Sequence, residues 1–196
     1  MLITVEGLDG AGKTTLISGL ATTLDATVLR EPGGVGLSER IRALVADPAL
    51  HVDPRAEALL YAAARAQLVA ERLRPLLDEG ARVLLDRFTD SSLAYQGGGR
   101  QLGIDAIRNL NDFATHGLRP DLTLLLRIDP AHGLARIAGR EADRLEASGA
   151  EFFARVAAAY DTLAAQEPDR FVILDATAAP ERVLAEALQA IRAKGA

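Results

Sequence analysis

The chain has 196 residues, 49% of them hydrophobic and 25% charged, with a formal net charge of −5. That length suits one domain with a sizeable core, and an acidic chain without a basic block is not expected to bind nucleic acid by neutralising phosphates. With no cysteine and three scattered histidines (His51, His116 and His132), it offers no disulfide, thiolate zinc site, cysteine nucleophile or histidine metal cluster.

Leu2-Ile3-Thr4-Val5-Glu6 is short, apolar and rich in β-branched residues, which predicts a buried strand. Gly7-Leu8-Asp9-Gly10-Ala11-Gly12-Lys13-Thr14 follows and matches G-x-x-x-x-G-K-[ST], a loop that cradles nucleotide phosphates. Lys13 is one of two lysines in a chain with 20 arginines, so a compact, mobile ammonium has been kept at this position. Leu16, Ile17, Leu20, Ala21 and Leu24 then recur at helical spacing. Strand, glycine-rich turn and helix are the context the motif needs, with backbone N–H groups and a helix N-terminus facing an anion. In such a loop Gly7, Leu8, Asp9, Gly10, Ala11, Gly12, Lys13, Thr14 and Thr15 are expected to hold ATP. Lys13 would bridge the β- and γ-phosphates and Thr14 would offer its hydroxyl to Mg²⁺. The competing reading is a glycine-rich turn without a ligand.

Ala26-Thr27-Val28-Leu29-Arg30 predicts a second strand, stopped by Glu31-Pro32-Gly33-Gly34. A short helix is expected over 37–45. Asp53 and Pro54 then supply an N-cap and first turn for a long helix over 53–79, which Pro75 would kink or end. Arg82-Val83-Leu84-Leu85-Asp86 is a third strand. Helical stretches follow near 90–97 and 103–116. Leu122-Thr123-Leu124-Leu125-Leu126 and Phe171-Val172-Ile173-Leu174 complete five strands, and Val183, Leu184, Ala187, Leu188 and Ile191 give the last helix its apolar face. Apolar strands alternating with helices imply an α/β fold: a five-stranded parallel sheet covered on both faces. The segment 139–149 is charged and nearly free of apolar residues, as in a solvated loop or a lid over a nucleotide. No leader pattern or membrane-length apolar run is visible, so the cytoplasm is expected and no membrane.

Asp86 ends the third strand after an apolar run, where a Mg²⁺-organising carboxylate sits in such folds; a turn aspartate is the alternative. Arg87 comes next, at the sheet rim where open α/β sheets bind ligands, and its planar fork suits a phosphate.

The chain resembles bacterial thymidylate kinases over nearly its whole length. The resemblance rests on Val5-Glu6-Gly7-Leu8-Asp9-Gly10-Ala11-Gly12-Lys13-Thr14-Thr15, on Arg30-Glu31-Pro32-Gly33-Gly34 and on Tyr61-Ala62-Ala63-Ala64-Arg65. It rests further on Asp86-Arg87-Phe88-Thr89-Asp90-Ser91-Ser92-Leu93-Ala94-Tyr95-Gln96-Gly97, and on Asp143-Arg144-Leu145-Glu146 followed by Phe152-Phe153 and Tyr160. It implies a nucleoside-monophosphate-kinase-like fold in a single domain, 1–196, with a short lid at about 139–150. It also implies transfer of the γ-phosphoryl of ATP to dTMP with Mg²⁺, in a homodimer. Such a transfer is mostly positioning and charge neutralisation.

By the same resemblance Arg87 clamps the dTMP phosphate, and Asp9 holds the acceptor through its sugar or an arginine. Arg65 donates to a thymine carbonyl, and Tyr61, where the family usually has phenylalanine, stacks on the ring. Ser91 or Ser92 meets the base edge, Tyr95 excludes a ribose 2′-hydroxyl, Gln96 is a further contact, and Glu31-Pro32, cis in the family, turns near the acceptor phosphate. Arg136 packs on adenine, near Asp175-Ala176-Thr177. Some family members carry an arginine in the phosphate loop where this chain has Gly10; Arg140 and Arg144 of the lid are expected to stabilise the transition state instead. Two other readings stay open from the residues: a kinase of the same fold acting on another monophosphate or deoxynucleoside, and a nucleotide-dependent switch.

Overall fold

The structure, a computed structural model, describes residues 1–137, 139 and 144–195. Five parallel strands lie where the apolar runs predict them: β1 (Leu2–Gly7), β2 (Thr27–Arg30), β3 (Val83–Asp86), β4 (Leu122–Arg127) and β5 (Phe171–Asp175). Their order across the sheet is β2-β3-β1-β4-β5. The central β1 is buried along its whole length, while the edge strands β2 and β5 mix buried, half-buried and exposed positions. An edge strand is covered on fewer sides, so exposed positions are tolerated there.

The helices are α1 (Lys13–Thr23), α2 (Gly36–Ala46), α3 (Pro54–Leu68), α4 (Arg74–Asp78), α5 (Thr89–Ser92), α6 (Ile104–Thr115), α7 (Pro130–Ile137), α8 (Ala150–Gln166) and α9 (Pro180–Ala193). One apolar core runs from Ile3 of β1 to Ile191 of α9, and a smaller one lies under β2 and β3. Asp53 caps α3 as expected, its carboxylate accepting from the Arg55 N–H at 2.8 Å.

The long helix expected over 53–79 is divided. A π-helical turn, Val69–Leu73, separates α3 from α4, and the Arg74 N–H reaches back to the Val69 carbonyl. Pro75 is the physical reason: its ring has no N–H and crowds the carbonyl four residues earlier, and the wider turn relieves that clash. The stretch expected near 90–97 likewise becomes α5 followed by a π-helical segment, Leu93–Gly99.

Register sets the site. Val5 of β1 and Arg30 of β2 both lie level with Asp86 of β3. The residues that follow these three, Glu6, Glu31 and Arg87, therefore emerge together at the carboxyl edge of the sheet. There the chain passes from β3 to β4 on the other side of β1, the kind of crossing at which open α/β sheets form a crevice.

Candidate active site

The loop after β1 turns through left-handed glycines. Gly10 has φ 79° and Gly12 φ 93°. A side chain at Gly10 would put its Cβ 2.2 Å from the Gly133 carbonyl oxygen of α7, whereas one at Gly12 would meet nothing within 4 Å. The first glycine serves close backbone packing and the second an open cradle. This explains the absence of an arginine at position 10: α7 occupies its space. Gly133 reciprocates, since a Cβ there would lie 2.8 Å from the Asp9 carbonyl oxygen. Gly133 is not visible as a site residue in the sequence because its partner is 124 positions away.

Lys13 begins α1 and is buried, its ammonium donating to the Gly7 and Leu8 carbonyls at 3.2 and 3.0 Å. Burial, then the neighbouring Arg87, lowers Lys13 to about 8. Thr14 and Thr15 are exposed at the mouth of the loop. Arg136 of α7 donates to the Gly10 carbonyl at 3.2 Å and to the Ala176 carbonyl at 3.0 Å. It thereby joins the loop to the β5–α9 turn, where the Asp175 carboxylate accepts from the Thr177 N–H and hydroxyl.

Beside this loop lies an open cleft lined by Asp9, Glu31, Pro32, Tyr61, Arg65, Arg87, Ser91, Ser92, Tyr95 and Gln96, together with Arg42, Val45, Ala46 and Leu145. Every residue expected at an acceptor nucleotide lines this one cleft.

Arg87 stands where the cleft meets the loop. Its backbone is left-handed, φ 67°, a strained state for a long side chain. Glu6 secures it: one carboxylate oxygen accepts from the Phe88 N–H at 2.7 Å, the other from the Ser91 hydroxyl at 2.5 Å and the Tyr160 hydroxyl at 2.7 Å. Burial raises the Glu6 carboxyl, with Asp90 adding to the effect. The Arg87 guanidinium then donates to Asp9 at 2.6 Å, to the Gly7 carbonyl at 3.2 Å and to the Tyr95 hydroxyl at 3.3 Å. Burial would raise Asp9, but Arg87 and then Lys13 hold it down at about 2, ionised throughout the physiological range. Asp9 is thus paired with the arginine expected to clamp the acceptor phosphate.

At the other end, Arg65 is almost fully buried. Nε donates to Glu31 at 2.6 Å, Nη1 to the Ser92 hydroxyl at 2.8 Å and to the Asn111 side-chain carbonyl, and Nη2 to the Phe88 carbonyl at 2.9 Å. A guanidinium has five N–H groups, and these contacts use four. One is left over, and Arg65 lines the cleft. Ser92, accepting from Arg65, keeps its own hydrogen to donate, while Ser91 is turned to Glu6 and Arg87. Burial pushes Glu31 up to about 7 against the pull of Arg65, and one of its oxygens has no hydrogen-bond partner among the described residues. The Glu31–Pro32 bond is cis.

Glu6, Asn111 and Tyr160 carry this geometry yet were not expected as site residues. Glu6 and Tyr160 lie inside motifs quoted above, so a signal existed for them; Asn111 had none. Of the lid arginines, Arg140 falls outside the described residues, as does Asp143. Arg144 is held against α2 and α3, donating to Glu57 at 2.6 Å and to the Val45 carbonyl at 2.9 Å.

Among the described residues no group of three or more His, Asp or Glu side chains could hold a metal ion. Mg²⁺ on a nucleotide needs no such cage, being held by phosphates, waters and one or two protein oxygens. Two oxygens suit that partial role: the exposed Thr14 hydroxyl and a buried Asp86 carboxylate oxygen without a partner among the described residues.

A phosphate loop between a parallel strand and its helix, with an arginine-lined cleft beside it, defines a P-loop phosphotransferase of the nucleoside-monophosphate-kinase kind. A family model described as thymidylate kinase matches residues 5–187. The chain is 48% identical to a thymidylate kinase of Deinococcus radiodurans over 100% of this chain and 98% of that protein. It is 47% identical to one of Oenococcus oeni over 97% and 94%. A crystal structure of thymidylate kinase from Ehrlichia chaffeensis superposes with a TM-score of 0.82 at 29% identity, covering 98% of each chain. The chain belongs to the thymidylate kinase family.

Proposed function

We propose that this chain performs the family's phosphorylation of dTMP to dTDP with ATP by a division of labour between the loop and the cleft. The observation that carries the reading is the Arg87–Asp9 pair at 2.6 Å, which fixes the acceptor-phosphate clamp to the loop that receives the donor phosphates. Two anions must approach in line, so the chemistry is positioning and neutralisation. Lys13 exchanges the Gly7 and Leu8 carbonyls for donor phosphate oxygens, while backbone N–H groups of Leu8, Gly10, Gly12, Thr14 and Thr15 hold the rest of the phosphates and Ala11, its N–H given to the Leu8 carbonyl, braces the turn. Arg87 clamps the dTMP phosphate. Arg140 and Arg144 complete the positive set from the lid.

At the base end the remaining Arg65 N–H meets a thymine carbonyl, Ser92 donates to the base edge, and Tyr61 stacks on the ring. Glu31 and Pro32 border the acceptor, Gln96 lines its wall, and Tyr95 closes the sugar side. Arg136 flanks adenine. Mg²⁺, bound to the donor phosphates, would be met by Thr14 and Asp86 and would supply charge neutralisation.

The whole chain, 1–196, is read as one kinase domain with a lid at about 139–150, supported by the apolar core shared from β1 to α9. No described helix is long and apolar enough to cross a membrane. A cytoplasmic place is proposed from the use of ATP. A homodimer is proposed on the exposed side of the packed helices α3 and α6, where Leu59 is 58% and Phe113 84% exposed. Size-exclusion chromatography with light scattering tests it: one chain mass at micromolar concentration would refute it.

The test of the reaction is ADP release from Mg·ATP with dTMP, dUMP, UMP, CMP, GMP, AMP or no acceptor. Fast turnover with dTMP, and slower with dUMP, is expected. A preference for another acceptor would overturn the assignments at Arg65, Ser92 and Tyr95, and slow acceptor-independent release would indicate a switch.

A further inference from the structure

Glu57 of α3 has no place in the reading above, and its carboxylate is fully buried. It does not line the acceptor cleft, yet it is tied to the cleft wall and to the described edge of the lid. One oxygen accepts from the Gln96 side-chain amide at 2.9 Å and from Arg100 Nε at 3.3 Å. The other accepts from Arg100 at 3.1 Å and from Arg144 at 2.6 Å. Two guanidiniums thus share one carboxylate out of water, an arrangement held together by charge-assisted bonds and sensitive to loss of the anion.

Arg144 is fastened a second time. Its Nε donates to the Val45 carbonyl at 2.9 Å and its backbone N–H to the Ala46 carbonyl at 3.4 Å, both at the end of α2. Those carbonyls carry the partial negative charge of a helix C-terminus and have no partner within the helix. The next residue, Leu145, lines the cleft with Val45, Ala46 and Gln96.

We infer that Glu57 is a positioning residue that latches Arg144, and with it Leu145, onto the acceptor side of the cleft. Gln96 and Arg144 hang from the same carboxylate, so a change at the cleft wall reaches the lid through a single group. The inference rests on the proposed reading of the cleft as the dTMP site. Its structural half, the latch, can be tested without substrate.

The experiment is a double-mutant cycle of Glu57→Gln and Arg144→Ala, read by kcat/KM for dTMP and by hydrogen–deuterium exchange of peptides covering 144–149. Glu57→Gln keeps the size of the side chain and removes the charge both arginines face. It is expected to lower kcat/KM for dTMP by ~10–100-fold in the wild-type background and by less than ~2-fold beside Arg144→Ala, because both changes break one contact. Multiplicative losses would mean that Glu57 acts only through Gln96 and Arg100, and would overturn the inference. In the exchange arm, each single variant without nucleotide should speed exchange in 144–149. If Glu57→Gln unfolds, Arg144→Ala alone decides, since unchanged protection of 144–149 in that variant would also refute the latch. Should exchange respond while dTMP proves not to be the acceptor, the latch stands and the substrate assignment falls.

Discussion

On the proposed reading, the acceptor and donor halves of the site are built differently. The acceptor half is a knot of side chains: Arg65 spends four of its five N–H groups on Glu31, Ser92, Asn111 and Phe88, and Arg87 is fixed by Asp9 and by the bonds of Glu6 to Phe88 and Ser91. The donor half is mostly backbone: glycines, the Gly7 and Leu8 carbonyls that Lys13 touches, and two exposed threonines. A side-chain knot is specific and formed in advance, and disturbing it costs stability. A backbone cradle suits phosphates common to every nucleotide, and a change in its one lysine is expected to cost chemistry alone. The proposed reading thereby puts specificity and catalysis in parts of the fold that should be separately damageable.

The largest expected effect is at Lys13. Lys13→Ala should lower kcat by at least ~10²–10³-fold, the scale of losing one preorganised donor, with the melting temperature within a few degrees of wild type. A large loss of stability would break the contrast between the halves. Next is Arg65→Ala, which leaves Glu31, Asn111 and the Phe88 carbonyl without their donor. Denaturant unfolding should show a loss of ~3–5 kcal/mol, alongside reduced use of dTMP. An unfolding curve superimposable on wild type would contradict a knotted acceptor half.

Glu6→Gln should raise KM for dTMP by ~10-fold while leaving KM for ATP within ~2-fold, as expected of a group that holds Arg87 in its left-handed turn. Equal effects on both substrates would place Glu6 in the donor half.

The smallest effect concerns pH. Burial raises Glu31 from 4.5 to about 7, so between those values the unfolded carboxyl ionises and the folded one does not. The stability present at and below the lower value is therefore lost as pH rises through that window. The stability difference between wild type and Glu31→Gln should shift in the variant's favour from pH 4.5 to 7, read by denaturant unfolding at each pH.

Much of the phosphate loop was legible in the sequence because it is local. One octapeptide supplies strand exit, glycine turn and helix start, and the apolar runs gave all five strands. That the cleft residues belong together was readable only through family resemblance, since they come from α3, the β2–α2 turn and the segment after β3. Nothing in the composition of α3 or α6 shows that Arg65 and Asn111 will meet. The Gly10–Gly133 approach was invisible for the same reason, although it explains why the loop lacks an arginine. The division of the long helix at Val69–Leu73 was legible as to cause, Pro75, but not form, because a proline can end a helix, kink it or widen a turn.

The most direct test of a preformed acceptor half is calorimetric titration of dTMP, without ATP or Mg²⁺, into wild type, Lys13→Ala and Arg87→Ala. Wild type and Lys13→Ala should bind with affinities within about 3-fold of each other, and Arg87→Ala at least ~10-fold more weakly, about 1.4 kcal/mol. If wild type binds dTMP only once ATP is present, or if Lys13→Ala loses as much affinity as Arg87→Ala, the acceptor half is not formed independently of the donor loop and the account fails.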